Sequence, residues 1–126
     1  MPGHRDTALV GVLIVDDQAP FRSAARTLVE LVDGWHVVGE VGTGEDAVTA
    51  ALSIRPDVVL MDINLPGISG IEATRRIVRD EPAITVVLLS TYAADDLPEE
   101  TRSCGAAGYI GKGDLTPRLL RALVDR

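Results

Sequence analysis

Three aspartates, a serine and a lysine stand where an otherwise apolar chain turns polar. Asp16 and Asp17 close the run VGVLIV, Asp62 closes VVLM, Ser90 and Thr91 close ITVVLL, and Lys112 follows GYIG. Buried apolar strands that all finish in charged or hydroxyl residues imply one shared site. Carboxylates brought together repel, and each then resists ionisation. A hard divalent cation relieves the repulsion, and an all-oxygen ligand set suits Mg²⁺. A carboxylate with a free oxygen can attack a phosphoryl group. The cation and a lysine would neutralise charge developing on the phosphoryl oxygens, and a hydroxyl across the pocket could bond the transferred group.

Positioning these groups takes strands that end together. Short apolar runs alternate with segments of helical period. Strands are predicted at Val10–Val15, Trp35–Val41, Val58–Met61, Ile84–Ser90 and within AAGYIG. Between them, Phe21, Ala24, Ala25, Leu28 and Val29 follow the spacing of one helix face behind Pro20. Ala47, Val48, Ala51 and Leu52 give a second helix, and Ile71, Thr74, Ile77 and Val78 a third that stops near Pro82. A short fourth helix is expected to end near Gly105. Thr116 as cap and Pro117 at the first helical position open the last, with Leu119, Leu120 and Leu123 inward. Five strand–helix repeats with uninterrupted apolar strands predict a parallel sheet covered on both faces. Right-handed crossovers make it doubly wound, with the flavodoxin-like order 2-1-3-4-5 and a ligand site at the carboxyl ends of the strands.

The 126 residues suit one domain, and 46% hydrophobic with 25% charged content reads as globular. Residues 1–8 read as a short mobile leader ahead of a single domain over 9–126. A net charge of -7 argues against binding nucleic-acid backbones. No apolar run approaches a membrane span. Cys104 is the only cysteine, which points to a reducing, cytoplasmic setting.

The motifs VLIVDD, DVVLMDINLPGISG, VVLLST and GYIGK, with 28 positions from Asp62 to Ser90 and 22 from Ser90 to Lys112, carry a resemblance. Over residues 10–125 the chain resembles the receiver domains of bacterial two-component response regulators, and looks most like the LuxR-type subfamily. That resemblance implies that Asp62 accepts a phosphoryl group from a sensor histidine kinase or a phosphotransfer protein. It implies Mg²⁺ held by Asp17, by Asp16 directly or through water, by Asp62 and by the backbone carbonyl of Asn64. It further implies that Lys112 and Ser90 bind the phosphoryl oxygens, and that Ser90 and Tyr109 form the switch. Pro66, Gly67 and Gly70 match the turn after the acceptor strand. A homodimer stays open; direct DNA binding by this chain and membrane insertion are not expected.

Two features depart from the pattern. Gly113 replaces the proline that many receivers carry after the lysine. A cis bond before glycine would cost about 3 kcal/mol, so a trans bond is expected. In AADDLPEE, Pro98 cannot sit deep in a helix, and the cap pair Asp96 and Glu99 places the fourth helix start near residue 96 or 97.

Each signal has a plainer competitor. Asp16 and Asp17 could be helix caps, Asp62 a turn residue, Ser90 a loop hydroxyl and Tyr109 a core aromatic. Cys104 reads as a small buried residue, His36 as a strand residue facing outward or packed on a helix, and His4 as part of the leader. Tyr92 would cover the pocket mouth or lie on the surface. Three other functions compete with the receiver reading. An aspartyl-phosphate phosphatase of the haloacid dehalogenase kind would need a carboxylate where Asn64 stands. A pseudo-receiver used only for docking is opposed by the intact set Asp16, Asp17, Asp62, Ser90 and Lys112. A receiver fragment of a LuxR-type DNA-binding regulator, its output domain lying elsewhere, remains compatible with every residue above.

Overall fold

The structure, a computed structural model, describes residues 9–91 and 97–124. Its elements are β1 (Val10–Val15), α1 (Ala19–Glu30), β2 (Trp35–Val41), α2 (Gly44–Ile54), β3 (Val58–Asp62), α3 (Gly70–Asp80), β4 (Thr85–Ser90), β5 (Gly108–Gly111) and α4 (Pro117–Val124). Short 3₁₀ turns occupy Glu99–Arg102 and Lys112–Asp114. All four strand pairings are parallel, and the order is β2-β1-β3-β4-β5. This is the flavodoxin-like doubly wound sheet that the apolar runs predict.

Alternation along each strand builds two cores. Leu13, Val15, Val59, Met61, Val86 and Leu88 pack with Ala47 and Ala51 of α2 and Ile71 and Ile77 of α3. Val12, Ile14, Val58, Leu60, Val87 and Leu89 pack with Ala25 and Val29 of α1 and Leu120 of α4. Both faces of β1, β3 and β4 are therefore dry, which is why these strands read as unbroken apolar runs. Full burial of a Leu or Ile side chain stabilises by roughly 2 kcal/mol, so the central strands are held rigidly up to the residue where they turn polar.

The helix starts follow local chemistry. Thr43 accepts a hydrogen bond from the Asp46 N–H at 3.0 Å, and Ser69 from that of Glu72 at 3.1 Å. Thr116 accepts from Leu119 N–H at 3.2 Å, the expected cap. Pro20 lies in the first turn of α1.

Three expectations need correction. The short fourth helix appears, among the described residues, as a single 3₁₀ turn over Glu99–Arg102 behind Pro98. Proline lacks the N–H that would continue a helical ladder and disfavours helical backbone in the residue before it. The proposed cap Asp96 lies outside the described residues, as do Tyr92 and the leader. Leu119 is 40% exposed where it was expected inward; Leu120 and Leu123 take the buried stripe. Ala24 is likewise exposed, next to buried Ala25.

Candidate functional site

The site forms where the sheet order reverses, at the carboxyl ends of β1 and β3. Adjacent strands there send their chains to opposite sides and leave a crevice between the loops. Asp16 follows β1, Asp62 is the last residue of β3, Ser90 the last of β4, and Lys112 follows β5. The predicted polar strand ends thus converge. A cleft of about 240 Å³ is lined by Asp17, Gln18, Asp62, Asn64, Thr91 and Lys112.

Carboxylate oxygens of Asp16, Asp17 and Asp62 lie within 4.8 Å of one another. Asp16 and Asp62 are buried, and Asp17 is exposed at the rim. Lys112 bridges the buried pair, with Nζ 2.6 Å from Asp16 Oδ2 and 3.4 Å from Asp62 Oδ2. The other oxygen of Asp16 accepts the Gln18 N–H at 2.8 Å, and Asp62 Oδ1 accepts the Asn64 N–H at 3.3 Å. Burial holds the Asp62 carboxyl above its ordinary range, and the neighbouring Asp16 charge adds to this; Lys112 and the Asn64 N–H oppose it.

The donor set fits a hard divalent cation. Mg²⁺ takes oxygens at about 2.0–2.1 Å, so opposite ligands stand roughly 4.2 Å apart. Oxygens already within 4.8 Å need only small rotations to reach that geometry.

Ser90 is 1% exposed. Its backbone carbonyl accepts the Tyr109 hydroxyl at 3.4 Å, so the two residues singled out as a switch are in direct contact. Burial and, next, the Asp114 carboxylate push the Tyr109 phenol above its usual range, so it stays a donor at neutral pH. Among the described residues no peptide bond is cis, including Lys112–Gly113, and the chain passes through the 3₁₀ turn instead.

Sequence reasoning missed several supporting residues. Arg22 donates to the Asp16 carbonyl at 2.6 Å and pairs through Nε with Glu40, at the end of β2, at 3.3 Å. The Phe21 ring centroid lies 4.5 Å from Lys112 Nζ. Glu45, in the first turn of α2, accepts the Ile68 N–H at 3.1 Å, and its carboxylate fills the space a side chain on Gly67 would need. Gly67 has φ +78°, where glycine is favoured. Gly70 lies so close to the Asp62 backbone carbonyl that a methyl group there would collide with it. The PGISG string signalled a turn but not these partners.

A flavodoxin-like sheet of this order with an acidic cluster where the order reverses is the architecture expected of a receiver domain, and comparison with known proteins agrees on that family. The family model for the response regulator receiver domain matches residues 12–124. The chain belongs to that family and to two-component signalling. It is 38% identical over 115 residues to the response regulator GacA of Pseudomonas aeruginosa, covering 91% of this chain and 54% of that protein. It is 39% identical to the response regulator UvrY of Escherichia coli, covering 91% of this chain and 53% of the relative. The chain thus spans about half the length of these relatives. Among solved structures, a LuxR-family two-component response regulator from Aurantimonas superposes with a TM-score of 0.82 at 29% identity, over 94% of this chain and 87% of that one. The response regulator domain of Thermotoga maritima CheB gives 0.80 at 28% identity, over 91% and 93%.

Proposed function

We propose that Asp62 accepts a phosphoryl group from a sensor histidine kinase or a phosphotransfer protein. A carboxylate oxygen of Asp62 attacks phosphorus, the P–N bond of the donor phosphohistidine breaks, and its electron pair stays on the imidazole. Hydrolysis reverses the state when water attacks the same phosphorus and Asp62 leaves as carboxylate. The carrying observation is the Asp62 carboxylate, set among Asp16, Asp17 and Lys112 at the mouth of the crevice.

Asp16, Asp17, Asp62 and the backbone carbonyl of Asn64 are the groups that would hold Mg²⁺. When bound, the ion supplies charge neutralisation to the phosphoryl oxygens. Lys112 then moves from Asp16 onto a phosphoryl oxygen, and the Ser90 hydroxyl donates to another. The contact between Ser90 and Tyr109 supports a readout in which movement at Ser90 alters the tyrosine and the surface beside Leu97 and Thr101. Phosphorylation would thereby shift a two-state equilibrium. The catalysis is self-directed, with no external substrate. Among the described residues no helix is long and apolar enough to cross a membrane. Action in the cytoplasm follows from the receiver-domain family.

Acetyl phosphate with Mg²⁺ should add one phosphoryl group, seen by intact-mass measurement, and Asp62→Asn should take none. Undiminished single phosphorylation of that variant would sink the assignment.

A further inference from the structure

Lys112 is held from three directions. Asp16 Oδ2 and Asp62 Oδ2 lie 2.6 and 3.4 Å from its Nζ, and the Phe21 ring covers it with the centroid at 4.5 Å. Phe21 belongs to the first turn of α1, where its N–H donates to the Gln18 carbonyl at 3.1 Å. The lysine side chain is 14% exposed, so the carboxylates and the ring leave little space for water around it. A cation within about 6 Å of an aromatic centroid is attracted to the negative face of the ring. Helical periodicity accounts for Phe21 as an apolar residue packed against the core. It does not account for a ring set over the ammonium.

We propose that Phe21 is a positioning residue that lets Lys112 pass from Asp16 to the phosphoryl group on Asp62. This deepens the acceptor reading of Asp62 and rests on it. In the resting site the shorter contact keeps the ammonium on Asp16, and phosphoryl transfer requires it to shift toward Asp62. A hydrogen-bond acceptor in place of Phe21 would fix the ammonium at one point. A ring face attracts with little directionality, and its attraction counts for most when the ammonium has left Asp16 and not yet reached the phosphoryl group, so the ring lowers the barrier to the shift. Leucine or methionine would fill similar space without the ring quadrupole and leave Lys112 to its two carboxylate partners, Asp16 and Asp62.

Phosphorylation rates with acetyl phosphate and Mg²⁺ test this in wild type, F21L, F21M and F21W. F21L and F21M should be slower by about fivefold, the ratio that corresponds to about 1 kcal/mol. F21W, which keeps a ring face, should stay within about twofold of wild type. By NMR, the ε-methylene protons of Lys112 should carry an upfield ring-current shift in wild type, retained with beryllofluoride bound and lost in F21L. Melting temperatures identify any variant that loosens the fold, and F21M carries the comparison where F21L does so. Folded F21L and F21M proteins that phosphorylate at the wild-type rate overturn the proposal. A wild-type protein that takes no phosphoryl group on Asp62 overturns the acceptor reading itself, and the two failures are distinct.

Discussion

Asp62→Asn should make the metal-free protein more stable. At an effective dielectric of about 20, unit charges 4.8 Å apart repel by about 3 kcal/mol, which sets the scale for Asp16 against Asp62. The same treatment of Lys112 at 3.4 Å gives an attraction of about 5 kcal/mol. Asp17 is exposed, so its repulsion is partly screened. The pairwise interactions nearly cancel, and desolvation of a carboxylate only 5% exposed decides the sign. A gain of about 1 kcal/mol is expected for the neutral amide, or about 4 °C in Tm for a chain of this size. The pH dependence follows from the raised Asp62 pKa. Stability linked to a raised acid is present below its unfolded-state pKa and lost as pH rises through the folded value. The gap between variant and wild type should therefore be full at pH 7 and close as acid protonates Asp62. Thermal melts in EDTA from pH 4 to 8 provide the assay. A variant that is less stable than wild type at pH 7, or a gap that widens in acid, would refute the reasoning.

Other substitutions separate charge pairing, backbone packing and core burial. Lys112→Met leaves Asp16, whose side chain is 0% exposed, without its ammonium, and should cost about 3 kcal/mol in urea melts without metal. Mg²⁺ titrated into that variant should recover part of the loss. Gly70→Ala drives a methyl group against the Asp62 carbonyl; equilibrium unfolding should show a loss of about 2 kcal/mol and acetyl phosphate labelling should slow. Leu120→Ala should cost about 3 kcal/mol, whereas Leu119→Ala, at an exposed position, should stay within about 0.5 kcal/mol.

The parts of the fold legible in the sequence are those fixed by burial on both faces. Val10–Val15 and Val58–Asp62 agree with the observed strands to within a residue, because a strand dry on both sides has almost no polar position; Trp35–Val41 agrees as well, although His36 and Glu40 are exposed along it. The same logic exposed Asp16, Asp62 and Ser90, since polar residues ending such strands must gather at one edge of the sheet. Partners that approach from another element were invisible. Phe21 obeys the core spacing of α1 whether or not its ring meets Lys112, and Arg22 reads as an ordinary helical arginine. Leu119 shows the limit of periodicity in an eight-residue helix, where neighbouring leucines compete for one stripe. Pro98 announced a break, and among the described residues the segment behind it runs only as a 3₁₀ turn over Glu99–Arg102.

The acceptor assignment is tested most directly by trapping the modified residue. An acyl phosphate on an aspartate is reduced by borohydride to the alcohol, which converts that aspartate to homoserine. Protein phosphorylated with acetyl phosphate and Mg²⁺, then reduced, digested and sequenced by mass spectrometry, should carry homoserine at position 62 alone. Homoserine at position 16 or 17, or phosphate retained on Ser90 after reduction, would contradict the account.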